Sequence, residues 1–146
     1  MISGLVIGFS ALILIRVTYA SLLLIGTLVF RFGFGNALGI EQNLGVMLMA
    51  TPLWYFIVWS GFVVGYVVSA LLVLIRSRVA LPVYILAFSC DFLLTLYWFQ
   101  QPGMDRVYHG SANLVEWVLN GTDLTIITVL LLTGGRLPLL RPKARA

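Results

Sequence analysis

Long apolar runs alternate along the chain with short polar interruptions, and the runs have helix length rather than strand length. Four of them, residues 5–30, 46–75, 79–99 and 113–133, are long enough to cross a hydrocarbon layer of roughly 30 Å at about 1.5 Å per residue. The first is broken only by Arg16. The second is the most apolar and carries Pro52 near its start, where a first helical turn tolerates proline. It ends at Arg76-Ser77-Arg78, a link so short that the third run must pack antiparallel beside it; Pro82 again falls in a first turn. The fourth stops at Gly134-Gly135, a helix-ending pair. The pattern predicts an all-α integral membrane protein. Residues 1–146 form a single membrane domain, an antiparallel four-transmembrane-helix bundle with 134–146 as a basic tail.

Composition supports this reading. Hydrophobic residues make up 61% and charged residues 10% of the 146 positions, with a mean hydropathy of +1.06, whereas a soluble domain carries about 25% charged residues. So much apolar surface exceeds what a core of this length hides, and the surplus must face lipid. A single cysteine, Cys90, excludes a disulfide framework and a zinc site built on several thiolates; a single histidine, His109, excludes bis-histidine haem ligation and an HExxH site. Neither a metal nor another cofactor is expected.

The net charge of +4 is informative only once its basic residues are placed. Arg76 and Arg78 sit in the short link, and Arg136, Arg141, Lys143 and Arg145 in the tail. The connections at the opposite end hold Arg31 and Arg106 against Glu41 and Asp105. This is topogenic charge rather than a nucleic-acid face. The positive-inside rule predicts a multi-pass protein with both termini cytoplasmic, as in a bacterial inner membrane. No basic residue precedes the first apolar run and Arg16 interrupts it, so the first span is expected to be retained rather than cleaved.

Several motifs invite sharper readings. GFGNALG, from Gly33 to Gly39, resembles a phosphate loop, but it follows an apolar span rather than a strand and lacks GxGxxG spacing; it reads as turn and helix-end glycines. Asn120-Gly121-Thr122 matches a glycosylation sequon but lies inside the fourth span. Asp105, Arg106 and His109 make the 100–112 connection the most chemically varied outer loop. His109 with Asp105 or Glu116 has the parts of an acid–base pair, and the ordinary reading is a solvated loop histidine. Gly61, Gly65 and Ser69 recur every four residues and define a small-residue packing stripe on the second span.

The most informative residues are the ionisable ones inside the spans, where a charge is costly and faces a partner or a wet cavity. Arg16, Asp91 and Asp123 occupy three different spans and fall within roughly 3 Å of a common midplane, counted at the rise of one helical residue. They are expected to meet, with one guanidinium bridging two carboxylates and one negative charge in excess. Asn113, Glu116, Asn120 and Asp123 follow at intervals that keep them on one helical face. Tyr84, Ala87, Asp91 and Thr95 form a semi-polar face on the third span, and Arg16, Tyr19, Ala20 and Thr27 one on the first. These faces describe a hydrogen-bonded core that fixes the bundle's register, a pocket open to the outer side and closed toward the cytoplasm, or charges turned to a partner.

Three functional classes follow. The first is a non-catalytic accessory or interaction subunit of a membrane complex, in contact with lipid and with a protein partner or a second copy of itself, and not with nucleic acid. The second is a small oligomeric proton-coupled transporter or channel using Asp91 and Asp123 with Arg16. The third is a membrane-embedded enzyme acting on a lipid or isoprenoid.

Overall fold

The computed structural model describes residues 4–34, 42–75, 77–103 and 111–133. It contains α1 (Gly4–Val29), which runs into a wide turn over Phe30–Phe34, then α2 (Gln42–Ala50), α3 (Leu53–Leu74), α4 (Ala80–Phe99) and α5 (Ser111–Leu132). Four of these helices are long and apolar enough to cross a membrane, over Ala11–Gly33, Leu53–Leu74, Ala80–Phe99 and Leu114–Leu132. They pack as an antiparallel bundle, as the apolar pattern predicts. Large apolar side chains cover the outside of every long helix: Ile15, Leu22, Ile57, Leu86, Leu93 and Leu132 all point outward. In water such a surface would be a liability, and in a bilayer it is the expected lipid-facing one.

One boundary differs from the sequence reading. The second apolar run is two helices, α2 and α3, broken at Thr51-Pro52. Proline forces the residue before it out of the helical region, and Pro52 caps α3 in an extended conformation (φ −68°, ψ 152°). Arg31 secures the break. Its Nη1 donates to the carbonyls of Leu48 (3.2 Å) and Thr51 (2.7 Å), at the negative end of α2, and its guanidinium lies 4.7 Å from the centre of the Phe56 ring. A stretch of the connection after α1 is therefore a short helix pinned to the bundle. The turn that precedes it uses Gly33 at φ +97°, a conformation that an L side chain resists.

The most extensive contact is between α3 and α4. A Cβ added at Gly65 would sit 3.0 Å from Cβ of Ala87, so the backbones approach as closely as two small residues allow. Ser69 Oγ donates to the Ala80 carbonyl (2.8 Å) and ties the two helices beside their link. Gly61 departs from the stripe: it is exposed, and an added Cβ meets nothing within 4 Å. Steps of four residues advance about 40° beyond a full turn, so a stripe that faces α4 at Gly65 and Ser69 has rotated away by Gly61. On the lipid side the hydroxyls of Ser89, Thr125 and Thr128 donate to carbonyls one turn back (2.8 Å each), which satisfies them without water.

The link between α3 and α4 marks one end of the bundle, the link end. The opposite end, where α3 begins and α4 finishes, is the mouth end.

Candidate functional site

Arg16 sits midway along α1, almost fully buried, with Asp91 of α4 and Asp123 of α5 on either side of its guanidinium. Its Nε donates to both carboxylate oxygens of Asp123, at 3.1 and 3.0 Å, and its Nη2 donates to Oδ2 of Asp91. Helix α3 completes the group through Tyr66, whose hydroxyl donates to Asp91 Oδ2 (3.0 Å) and also approaches Asp123 Oδ2 (3.4 Å). Tyr84 of α4 donates to Asp123 Oδ1 at 2.6 Å. The Tyr66 ring also lies under the Arg16 guanidinium, 5.0 Å from centre to Cζ, and packs edge-on against Tyr84 at 5.1 Å. All four long helices thus contribute to one network. Among the described residues no buried side-chain nitrogen or oxygen lacks a partner.

The meeting of Arg16, Asp91 and Asp123 is what their common depth predicts. Tyr66 is a member that charge and depth do not single out, although the sequence holds a signal for it. Tyrosine belongs at the headgroup level, so one in the middle of an apolar span asks for a polar partner.

The two carboxylates are not equivalent. The Asp123 side chain is 1% exposed and that of Asp91 is 19% exposed. The difference has a cause: Asp91 and Arg16 border a cavity of about 320 Å³ that extends from them toward the mouth end. From α1 it is lined by Tyr19, Ala20, Leu23 and Thr27, and from α3 by Tyr55, Trp59 and Phe62. Leu94, Thr95 and Trp98 line it from α4, Glu116 and Leu119 from α5, and Leu48 from the short helix α2. The semi-polar face predicted on the first span lines it throughout, and that on the third span is divided: Asp91 and Thr95 line the cavity, while Tyr84 and Ala87 are packed away from it. Its volume lies at the lower end of the range for small-molecule pockets, about 300 to 1,000 Å³.

On the other side of Arg16 the interior is filled. Ile13, Ser69, Tyr84, Ile126 and Leu130 are essentially inaccessible, with Ala70, Val73, Ala80 and Ala87 closing the space around them.

Other expected residues fall elsewhere. Asn120 shares a helix with Asp123, but its amide nitrogen donates to the Glu116 carbonyl (2.9 Å) within its own helix. Glu116 is at the cavity wall rather than in the charged group. Cys90 is a partly buried free thiol packed against the apolar core. Asp105, Arg106 and His109 lie outside the described residues, as do Gly134-Gly135 and the basic tail. Among the described residues no three histidine, cysteine or acidic side chains gather as a metal site.

Compared with protein-family models, with curated proteins and with solved structures, the chain finds no match. The functional reading therefore rests on the site itself.

Proposed function

We propose that this is a small, non-catalytic solute-binding membrane protein of the transport class, whose described conformation is open toward the mouth end and closed toward the link end. The observation that carries the reading is the cavity ending on Arg16 and Asp91, with packed side chains beyond them. A structural polar core has no need of such a cavity, because a buried ion pair offsets its desolvation through its partner and through hydrogen bonds to its remaining atoms. Here one carboxylate is enclosed and the other is presented to the hollow. The basic residues of the link and tail orient the cavity mouth away from the cytoplasm, in an inner-membrane setting. Asp91, which the hollow reaches, is the proton-exchanging group, with Asp123 enclosed behind it and Arg16 the fixed counter-charge of both. Four spans enclose little solute path alone, so the working unit is an oligomer.

An accessory-subunit role is the second reading. It is favoured by the outward, unobstructed face at Gly61, which leaves room for a partner helix.

Thiol accessibility tests the transport reading. In a Cys90→Ala background, Thr95→Cys places a thiol on the cavity wall and Ile126→Cys places one beyond the charged group. In sealed vesicles, a membrane-impermeant thiosulfonate should modify Thr95→Cys rapidly from the mouth side. It should reach Ile126→Cys only from the link side and at least tenfold more slowly, through the second conformation that transport requires. An inert Thr95→Cys would remove the binding cavity. An Ile126→Cys that stays inert from both sides would remove transport.

A further inference from the structure

The cavity's charge and walls specify a class of ligand, an inference that rests on reading the cavity as a solute site. Arg16 carries one positive charge and touches two carboxylates, so with both acids ionised one negative charge is unbalanced. Asp123 is enclosed by Arg16, Tyr66 and Tyr84, whereas Asp91 keeps a part-open face, so the excess is presented at the cavity floor. An uncompensated charge at this depth is costly, and either a proton or a bound cation can neutralise it. The walls separate kinds of cation. A hard inorganic ion requires about six or more oxygen ligands, whereas much of the wall is apolar or aromatic, with Leu23, Leu48, Leu94 and Leu119 beside Tyr55, Trp59, Phe62 and Trp98. The Tyr55 ring centre lies 6.0 Å from that of Trp59 and 5.8 Å from that of Trp98, so the rings pack on one another as one aromatic wall, and aromatic walls attract organic cations and cover apolar bodies.

We propose that the cavity binds an organic monocation with a flat apolar body, its charge against Asp91 and its body against the wall that Tyr55, Trp59 and Trp98 form. Arg16 confines the cation to the Asp91 side of the network.

The test is calorimetric titration of the purified full chain in detergent with three probes that share a phenyl body: benzyltrimethylammonium, neutral benzyl alcohol and anionic benzenesulfonate. The cation should bind at least tenfold more tightly than the alcohol, and the sulfonate should not bind measurably. Asp91→Asn should remove the cation's advantage while leaving the alcohol's affinity unchanged, and Trp98→Leu should weaken both. Equal affinities for cation and alcohol, or no binding of the cation, would overturn the proposal and leave a proton as the neutralising species. Should Asp91→Asn fail to fold, the ranking of probes on the unaltered protein decides alone. If the ranking fails while Thr95→Cys is still modified from the mouth side, the ligand class falls and the cavity stands; an inert Thr95→Cys removes both.

Discussion

Toward the link end, α3 and α4 close on each other through Gly65 and Ala87, Ser69 bonds across them to Ala80, and Tyr84, Ile126 and Leu130 fill what remains. Toward the mouth end the same two helices carry Trp54, Tyr55, Trp59, Tyr97 and Trp98, whose rings stand 5.1 to 6.0 Å apart where they meet. Small residues bring backbones together, and large rings hold them apart. The packed half and the hollow half thus coincide with the change from small residues to large rings along these two helices, with the charged group at the boundary between the two packings. The comparison also explains why Arg16 faces two acids with different surroundings: it borders the filled half on one side and the open half on the other.

The largest break in this arrangement should come from Arg16→Leu, which leaves two carboxylates near the hydrocarbon centre. Removing one partner of a buried charge group costs about 3 to 5 kcal/mol, which thermal unfolding in detergent would register as a large fall in midpoint. Tyr84→Phe should come next. It takes a donor from the enclosed Asp123 without changing volume, and a hydrogen bond to a charged group is worth about 1.5 to 3 kcal/mol. The same melting experiment checks it, and a wild-type midpoint would mean that Asp123 does not depend on the Tyr84 hydroxyl.

Gly65→Leu probes the filled half directly. Overpacking should cost about 1 to 3 kcal/mol, whereas Gly61→Leu, on the same helix but facing outward, should change stability by no more than about 0.5 kcal/mol. Equal effects of the two would erase the distinction between the α3–α4 contact and the outer face. The smallest effect on stability is expected for Thr95→Phe, whose added ring enters the hollow rather than packed atoms. It should shift unfolding by no more than about 0.5 kcal/mol and yet abolish benzyltrimethylammonium binding. Full binding with the ring in place would move the ligand out of the cavity.

Much of the bundle was legible because membrane burial leaves a coarse signature. A run of some twenty apolar residues has few alternatives to a spanning helix, and three charges at one depth have few alternatives to meeting. The faces carrying Arg16, Tyr19, Ala20 and Thr27, and Tyr84, Ala87, Asp91 and Thr95, were also readable from helical spacing. What escaped depended on three-dimensional detail. The break between α2 and α3 has a local signal in Pro52, which first-turn tolerance of proline hides, but the contact that secures it, Arg31 reaching the carbonyls of Leu48 and Thr51, is encoded by no local pattern. Asn120 shares a face with Asp123, yet its amide found a carbonyl one turn back before it found the network. The cavity is walled in part by Tyr55, Trp59 and Trp98, aromatic residues near span ends where interfacial anchoring is the ordinary role, and their position in a span gives no sign of whether they point at lipid or inward.

The measurement that bears hardest on the charged boundary is the detergent unfolding midpoint of the Arg16→Leu variant beside that of Arg16→Leu combined with Asp91→Asn and Asp123→Asn. If the three residues act as one electrostatic unit, removing the two acids should restore most of the stability lost with the arginine, and the restored protein should no longer prefer benzyltrimethylammonium over benzyl alcohol. A triple variant that unfolds as readily as Arg16→Leu alone would contradict the unit, showing that the arginine stabilises the bundle by some means other than its two aspartates.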